Sequence, residues 1–347
     1  MPTLLLIAAV ALNPAKEVVA NHANLTIYPF YESNSIPTGD YISLDDGLKQ
    51  GTVIITEAGG TGGPPLIRNR PPNANVNNSN QRIQQQVQGQ SRGATVNTLW
   101  LTNRSGKKLL ILTGEIVSGG KQDRIIQKDT LVPSSKEPIN VDVFCVEQNR
   151  WQASNNNYQF SAGGLGGGGG LADPSLRGKA QHDRSQSAVW SQVDSSLGKL
   201  KTENSTKTYQ ANLNSPKVKQ SVDAYVIGIQ RQFSMDKAVG VAVAVNGRMV
   251  WMDRFANNQL FRKYWPKMIK SYALEAMQAA ERAPSPKPPT YDEAMRYAEA
   301  RDGKMTHEAE DGVWKLIKID GKSHVIYELE DLAAKQAIVV HASKMAK

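Results

Sequence analysis

The sequence contains a single cysteine, Cys145, which excludes an intramolecular disulfide and a cysteine-rich zinc or iron–sulfur site. Its five histidines never stand at the H-x-x-x-H or H-x-x-E-H spacing of zinc hydrolases. No run approaches the roughly 20 apolar residues that are needed to span a bilayer. A polytopic membrane protein is therefore excluded. The cysteine and histidine patterns predict no metal site, and the sequence does not indicate which cofactor, if any, the protein uses.

What is present is an ordinary globular composition: 347 residues, of which 40% are hydrophobic and 21% charged. This length suits one large domain or two ordinary ones. Most of the net charge of +9 arises in residues 151–280, which hold 16 lysines and arginines against 8 acidic residues. Such an excess can attract phosphates or anionic lipid, but a solvated basic surface explains it equally. Nucleic acid is not expected as a partner, because no basic run interleaves with aromatic residues.

Residues 4–12 form an apolar run of signal-peptide length, and Val18, Val19 and Ala20 place short side chains at a cleavage site. No basic residue precedes the run. A signal segment over residues 1–23 predicts export, as a secreted or periplasmic protein. The alternative is a cytoplasmic protein in which these residues form a buried strand or helix.

The pattern of apolar residues changes along the chain and predicts an α+β fold. Residues 24–151 are rich in β-type patterns and predict an antiparallel, sandwich-like β unit. Within it, residues 59–93 are dominated by Gly, Pro, Asn, Gln and Ser, which predicts a disordered insert. Helical spacing begins later and predicts an α/β part over 172–282. Residues 291–347 follow a proline-rich linker and predict a small C-terminal extension.

Turn residues separate three pairs of β-type runs and predict hairpins. The paired runs are 96–102 with 107–113, 239–245 with 248–253, and 314–319 with 323–328. Helices are predicted to begin at Pro216 and at Pro266. A further helix is predicted after Thr290, whose spacing to Glu293 fits a capping box.

Two motifs carry little information about function. Residues 114–121 superficially resemble a phosphate-binding P-loop, but Gly120 separates the second glycine from the lysine and Gln122 replaces the required Ser or Thr. Cys145 lies on an alternating strand between apolar neighbours. A thiolate nucleophile and a small buried side chain are both open interpretations of this cysteine.

Polar side chains concentrate near the ends of two predicted strands. Glu115 and residues 121–124 follow the strand 107–113, and a second group ends the strand 139–147. If the two strand ends meet, Glu115 and Glu147 are candidates for a catalytic acid and base, because burial can separate their pKa values. The candidate ligand-binding residues are Lys121, Gln122, Asp123, Arg124, Arg150 and Trp151. The alternative is a buried Glu–Arg network that only stabilises the β unit.

The same residues carry a family likeness. Four short motifs contribute to it: Gly114-Glu115, the run 119–124, Cys145-Val146-Glu147 and Arg150-Trp151. Over about residues 95–280 the sequence resembles an uncharacterised domain family that is named for its association with ADP-ribosylglycohydrolases and rhodanese-type phosphatases. The resemblance implies a link to ADP-ribose or NAD chemistry. Residues 284–347 lie outside it, and Asp123 stands where the family often has Asn.

These observations support two main hypotheses about function. In the first, the protein binds or hydrolyses a nucleotide-like or phosphorylated small molecule at the polar cluster. In the second, it is a non-enzymatic exported or envelope-associated structural or interaction protein. The sequence predicts neither the reaction nor the oligomeric state.

Overall fold

A computed structural model describes residues 18–31, 40–58, 97–150, 159–163, 170–279, 287–333 and 337–347. The predicted insert 59–93, most of the predicted signal segment 1–23 and Trp151 lie outside the described residues. Ala20 is described: it is buried and begins the first strand. Among the described residues, no helix has both the length and the apolar character that crossing a membrane requires.

Antiparallel sheets and helices together confirm the predicted α+β class. In chain order the strands are β1 (Ala20–His22), β2 (Leu25–Tyr31), β3 (Tyr41–Ser43), β4 (Val53–Glu57), β5 (Thr98–Asn103), β6 (Lys108–Ile111), β7 (Glu115–Gly119), β8 (Arg124–Ile126), β9 (Thr130–Val132), β10 (Ile139–Cys145), β11 (Phe160–Ala162), β12 (Gly170–Leu171), β13 (Ala238–Val245), β14 (Arg248–Phe255), β15 (Lys304–Glu310), β16 (Trp314–Asp320), β17 (His324–Asp331) and β18 (Ile338–Ala346). The helices are α1 (Leu44–Lys49), α2 (Pro174–Gly178), a π-helical turn (Lys179–Asp183), α3 (Gln186–Leu200), α4 (Gln210–Asn214), α5 (Pro216–Gln230), α6 (Asn258–Ala279) and α7 (Tyr291–Glu299).

The chain divides into two compact units. Unit 1 combines the residues up to Tyr41 with Lys219–Lys347, and unit 2 is Ile42–Val218. The sequence predicts domains over 24–151, 172–282 and 291–347. These ranges stay predictions, because the two compact units divide the chain at other positions.

The main sheet of unit 2 is a nearly closed barrel. Its strands follow the order β11, β7, β8, β10, β5, β4, and β12 adds to β7. A bridge between Thr56 on β4 and Gln159 beside β11 brings the two ends of this order together. In a ring of this order β4 and β8 lie opposite each other. Strands β3, β6 and β9 form a separate sheet.

Aliphatic side chains at alternate strand positions form the core of unit 2, as the period of two requires. Val141 and Val143 of β10 are buried in it, as the predicted alternation requires. The alternation does not extend over all of 139–147, because Ile139 is 36% exposed and Phe144 on the other face is also buried. The other members of this core cluster are Ile42, Leu44, Val53, Ile55, Leu99, Leu101, Leu109, Ile111, Val117, Ile126, Val132 and Phe160.

The predicted hairpin between 96–102 and 107–113 is wrong. β5 pairs with β4 and β10, whereas β6 pairs with β9 in the other sheet. The side-chain amide of Asn103 donates to the carbonyl oxygens of Lys107 (2.8 Å) and Val132 (2.9 Å). These two bonds redirect the chain at a point where the turn residues alone favoured a hairpin.

Unit 1 is built on an eight-stranded antiparallel sheet with the order β1, β2, β13, β14, β18, β17, β16, β15. The predicted hairpin around Asn246-Gly247 is confirmed. Both residues have positive φ (48° and 73°), as a type I′ turn requires. The predicted hairpin between 314–319 and 323–328 is confirmed as β16 and β17.

Two of the three predicted helix starts agree with the structure. The starts at Pro216 and after Thr290 are confirmed, and Thr290 and Glu293 form the expected capping box. The predicted start at Pro266 is wrong, because α6 begins at Asn258 and contains this proline in its interior. The side chain of Asn257 accepts a hydrogen bond from the backbone N–H of Leu260 (2.9 Å), which caps the helix earlier.

A polar quartet lies in the core of unit 1. The Asp253 carboxylate accepts hydrogen bonds from the indole N–H of Trp251 (3.0 Å) and the hydroxyl of Tyr272. Its other oxygen lies 3.1 Å from Nε2 of His341. All four side chains are buried, so these bonds replace the water that each polar group would otherwise bind.

Candidate functional site

The two strand ends that carry the predicted site residues meet in unit 2. The side-chain amide of Gln122 donates to the carbonyl oxygen of Glu147 (2.7 Å), and the backbone N–H of Asp123 donates to Oε2 of Glu147 (3.1 Å). Arg150 forms an ion pair with the same carboxylate at 2.6 Å. We call this group the charged end of the barrel; its members are Glu57, Gln122, Asp123, Arg124, Glu147 and Arg150.

The turn between β7 and β8 lies directly on the charged end. Gly120 has a φ of +51°, and a Cβ there would lie 2.4 Å from the Phe160 ring and 2.5 Å from Oε1 of Glu57. The backbone N–H of Lys121 donates to that same oxygen (2.7 Å). Only glycine fits at position 120, because both its backbone conformation and the close contact exclude a side chain.

Arg150 holds this turn from outside. One of its terminal nitrogens donates to the carbonyl oxygen of Gly120 (2.9 Å), and Nε donates to Glu147 (2.8 Å). The other terminal nitrogen lies 3.4 Å from Oδ1 of Asp123. The side chain stays 23% exposed, so this arginine connects the buried carboxylates with solvent.

An ion pair crosses the interior of the barrel. Arg124 on β8 lies 3.6 Å from the carboxylate of Glu57 on β4, and these strands are opposite each other in the ring. The Arg124 side chain is 1% exposed and that of Glu57 is 10% exposed. Removing one partner of such a pair would leave the other charge buried and uncompensated.

Burial raises the pKa of the Asp123 carboxyl above its usual value, and the nearby Glu147 carboxylate raises it further. A hydrogen bond from the hydroxyl of Thr208 (2.6 Å), the Arg150 charge and the N–H of Gly119 all oppose this rise. Because desolvation is the largest influence, the ionised form of Asp123 is disfavoured in the folded protein.

We expect Asp123→Asn to keep or raise the melting temperature at about pH 7, because the neutral amide avoids the cost of burying an ionised carboxylate. The folded state binds the Asp123 proton more tightly than the unfolded state. Its contribution to stability is therefore greatest at low pH and declines as pH rises through the folded pKa. The melting temperature of the variant minus that of the wild type should grow between about pH 4 and about pH 7.

Differential scanning calorimetry across this pH range tests the expectation. Asp142→Asn, at an exposed position on β10, is the matched control and should show a smaller pH-dependent difference. A loss of stability for Asp123→Asn that is constant with pH would show that the amide disrupts the hydrogen bonds instead.

Cys145 is buried directly opposite Arg124, as its cross-strand partner. Burial raises the pKa of the Cys145 thiol, and the Arg124 charge only partly opposes this. The side-chain amide of Gln186 bonds both the N–H and the carbonyl oxygen of Cys145 (2.9 and 2.8 Å). These surroundings favour the interpretation as a small buried side chain over that as a thiolate nucleophile.

Glu115 lies at the opposite end of β7 from the turn. Gly119 lies four positions further along the strand, a distance of about 13 Å. Its carboxylate accepts a hydrogen bond from the N–H of Leu112 (2.7 Å). The structure thus brings Glu147 together with Asp123 and Arg150, whereas Glu115 belongs to a different group of buried charges.

That second group surrounds Gly114. Gly114 has a φ of +90°, and a Cβ there would lie 2.3 Å from the side chain of Arg177. Arg177 donates to the carbonyl oxygen of Thr113 (3.2 Å), and Asp129 accepts from the N–H of Thr113 (2.7 Å). The Gly114-Glu115 motif therefore makes room for a buried arginine of α2.

Sequence reasoning missed Glu57 of the charged end and Thr208, whose hydroxyl donates to Asp123. Glu57 could have been found, because it continues the buried alternation of Val53 and Ile55 on β4 and places an acid on an apolar face. Thr208 gives no such signal. The proposed ligand role of Lys121 stays a prediction; its side chain is partly exposed. In the described ranges no group of three or more His, Cys, Asp or Glu side chains could hold a metal ion.

Comparison with known proteins supports the family likeness and enlarges it. A family model for the ARPP-1 domain, the ARG and Rhodanese-Phosphatase-superfamily-associated Protein domain, matches residues 16–345. The predicted limits of 95–280 were too narrow, since residues 284–345 fall inside the match. No curated protein and no solved structure matches the chain. The chain belongs to the ARPP-1 family.

Proposed function

We propose that unit 2 binds a nucleotide-like or phosphorylated small molecule at the charged end of the barrel, and that it acts on this ligand as a hydrolase. The observation that carries the proposal is the concentration of three carboxylates and two guanidinium groups at one end of a small barrel. Four of these five groups are buried.

Burying so many charges is costly for stability. A buried ion pair often contributes less than well-packed apolar side chains of similar volume. Proteins depart from this economical choice mainly at functional sites, where the charges have a role other than stability. Asp123 is an example: burial raises the pKa of its carboxyl, and perturbed pKa values are concentrated at functional sites.

The chemistry of the charged end suits a ribosyl phosphate. Carboxylates such as Glu147 accept hydrogen bonds from sugar hydroxyls, and guanidinium groups such as that of Arg150 bind phosphate oxygens. ADP-ribose carries both kinds of group. The description of the family, which associates it with ADP-ribosylglycohydrolases, supports the same class of ligand.

For a hydrolytic reaction we propose Asp123 and Glu147 as the acid and base. Their surroundings differ: burial dominates at Asp123, whereas Glu147 pairs with Arg150 at 2.6 Å. Two carboxyl groups in unlike surroundings can take opposite roles in proton transfer. The geometry favours Asp123 over Glu115 as the partner of Glu147.

Ligand-induced stabilisation tests the proposal. We expect ADP-ribose or NAD to raise the melting temperature of the wild type and to bind in isothermal titration calorimetry. Arg150→Gln should weaken binding about tenfold or more, because a charged contact to the ligand is lost. Lys128→Gln, which removes an exposed lysine of an ion pair on the same barrel, is the matched control and should bind normally.

A second interpretation has support from one observation: each side-chain nitrogen of Arg150 already bonds a group of the same chain. In that case the charged end is architectural and the protein is a structural or interaction module. The same experiment separates the two. A large loss of stability in Arg150→Gln, with no response of the wild type to any ligand, would favour the architectural role.

A further inference from the structure

The Arg124 guanidinium is poorly satisfied for a buried charge. It has five N–H donors and is 1% exposed. One short hydrogen bond is present, to the carbonyl oxygen of Gln122 (2.8 Å), and the contact with the side-chain oxygen of Gln122 is long at 3.4 Å. Within the described part of the chain, Nε has no hydrogen-bond partner. A buried N–H without a partner requires an explanation, such as a bound group that completes its bonding.

The two arginines of the charged end differ in this respect. The N–H groups of Arg150 donate hydrogen bonds to Glu147, to Asp123 and to the carbonyl oxygens of the turn. Arg124 faces Glu57 only at 3.6 Å, beyond the usual length of a charged hydrogen bond. Arg124 thus retains a buried donor that no described group uses, whereas Arg150 bonds the turn and is 23% exposed, so that a ligand can meet it from the solvent side.

Among the described residues, the strand partners of Arg124 do not supply the missing acceptor. Its cross-strand partners are Val117 on β7 and Cys145 on β10, and directly paired residues place their side chains on the same face of a sheet. Valine offers no polar atom, and a neutral thiol is a weak hydrogen-bonding group. The paired side chains on these two strands therefore offer Arg124 no oxygen acceptor.

We propose that Arg124 binds a singly charged phosphodiester group of the ligand. This inference rests on the proposed function and names the part of the ligand that reaches the barrel interior. Glu57 already balances the charge of Arg124, so a doubly charged terminal phosphate would bring too much negative charge into a buried place. In the diphosphate linkage of ADP-ribose each phosphate carries one charge and meets this condition.

Access to Arg124 requires the turn over the charged end to move. Lys121 and Gly120 lie against Glu57, and Arg150 holds the carbonyl oxygen of Gly120. Binding that depends on such a movement is slower than the usual association rate of about 10⁵–10⁷ M⁻¹s⁻¹. A slow association phase is therefore expected for ligands that reach Arg124.

Arg124→Lys tests the inference, because lysine keeps the positive charge but loses the planar set of donors. We expect this variant to bind ADP-ribose about tenfold or more weakly, while its affinity for adenosine, which has no phosphate, changes less than about threefold. Lys128→Gln is the control and should leave both affinities unchanged. Equal changes for the two ligands, or none, would overturn the inference while leaving the proposed function in place.

A measurement on the wild type covers the case in which the variant folds poorly. In protein labelled with ¹⁵N-arginine, the Nε–H resonance of Arg124 should move downfield and exchange more slowly when dimethyl phosphate, a singly charged diester, is added. Inorganic phosphate at the same concentration should have a smaller effect. A resonance that dimethyl phosphate does not move would overturn the inference. If the resonance responds but ADP-ribose and NAD do not bind, the anion site stands and the proposed function fails.

Discussion

Asp253→Ala is expected to destabilise unit 1 by about 3–9 kcal/mol, since it leaves three buried donors without their acceptor, each at a cost of about 1–3 kcal/mol. The donors are the indole of Trp251, the hydroxyl of Tyr272 and the imidazole of His341. A loss of this size is a large fraction of the 5–15 kcal/mol that typically separates folded and unfolded states.

Hydrogen exchange of the amides in β13 and β14, measured with increasing urea, reports the stability of this unit separately from that of unit 2. Asp223→Ala, on the exposed side of α5, is the matched control and should change stability by less than about 0.5 kcal/mol. Asp253→Asn keeps one acceptor oxygen and should fall between the two. A loss of under about 1 kcal/mol in Asp253→Ala would show that the three donors find other acceptors.

Arg124→Met should destabilise unit 2 by about 3–5 kcal/mol, because it leaves the Glu57 carboxylate buried without its partner. Adding Glu57→Gln should recover a substantial part of this loss. The amide oxygen at position 57 can still accept the hydrogen bond from the N–H of Lys121. The double variant removes both charges from the barrel interior and should therefore be more stable than Arg124→Met alone.

A double-mutant cycle monitored by urea unfolding measures the coupling, which we expect to be about 2 kcal/mol. The pair Lys128–Asp142, which is 2.7 Å apart and partly exposed, is the control, with an expected coupling below about 1 kcal/mol. If Glu57→Gln does not rescue Arg124→Met, the two charges do not depend on each other. The description of an ion pair across the barrel would then be wrong.

Local signals in the sequence predicted local structure well. Asn246-Gly247 demands positive φ at both residues and so specifies its hairpin, and Thr290 with Glu293 specifies the start of a helix. The hairpin predicted at Asn103–Gly106 failed for a different reason. There, bonds from one side chain to Lys107 and to Val132, far along the chain, override the turn residues. Propensity does not record such long-range contacts.

In the charged end, too, local patterns identified some residues, whereas long-range contacts that they do not record add another. The motif residues from Gln122 to Arg150 could be listed from the sequence, because they stand beside strands with clear alternation. Glu57 could not be joined to them, since closure of the barrel brings β4 opposite β8 and no local pattern records that closure. Glu115 was grouped with them because it is near in sequence, although the length of β7 separates it from the turn.

The position of β2 in the sheet has a consequence for biosynthesis. Tyr28 of β2 pairs with Ala242 of β13, so β2 leaves the ribosome long before this partner strand is made. At about 5–20 residues per second, this delay is on the order of 10 to 40 s. All of unit 2 is synthesised during that interval. The apolar strand β2 is meanwhile a natural target for chaperones and for premature aggregation.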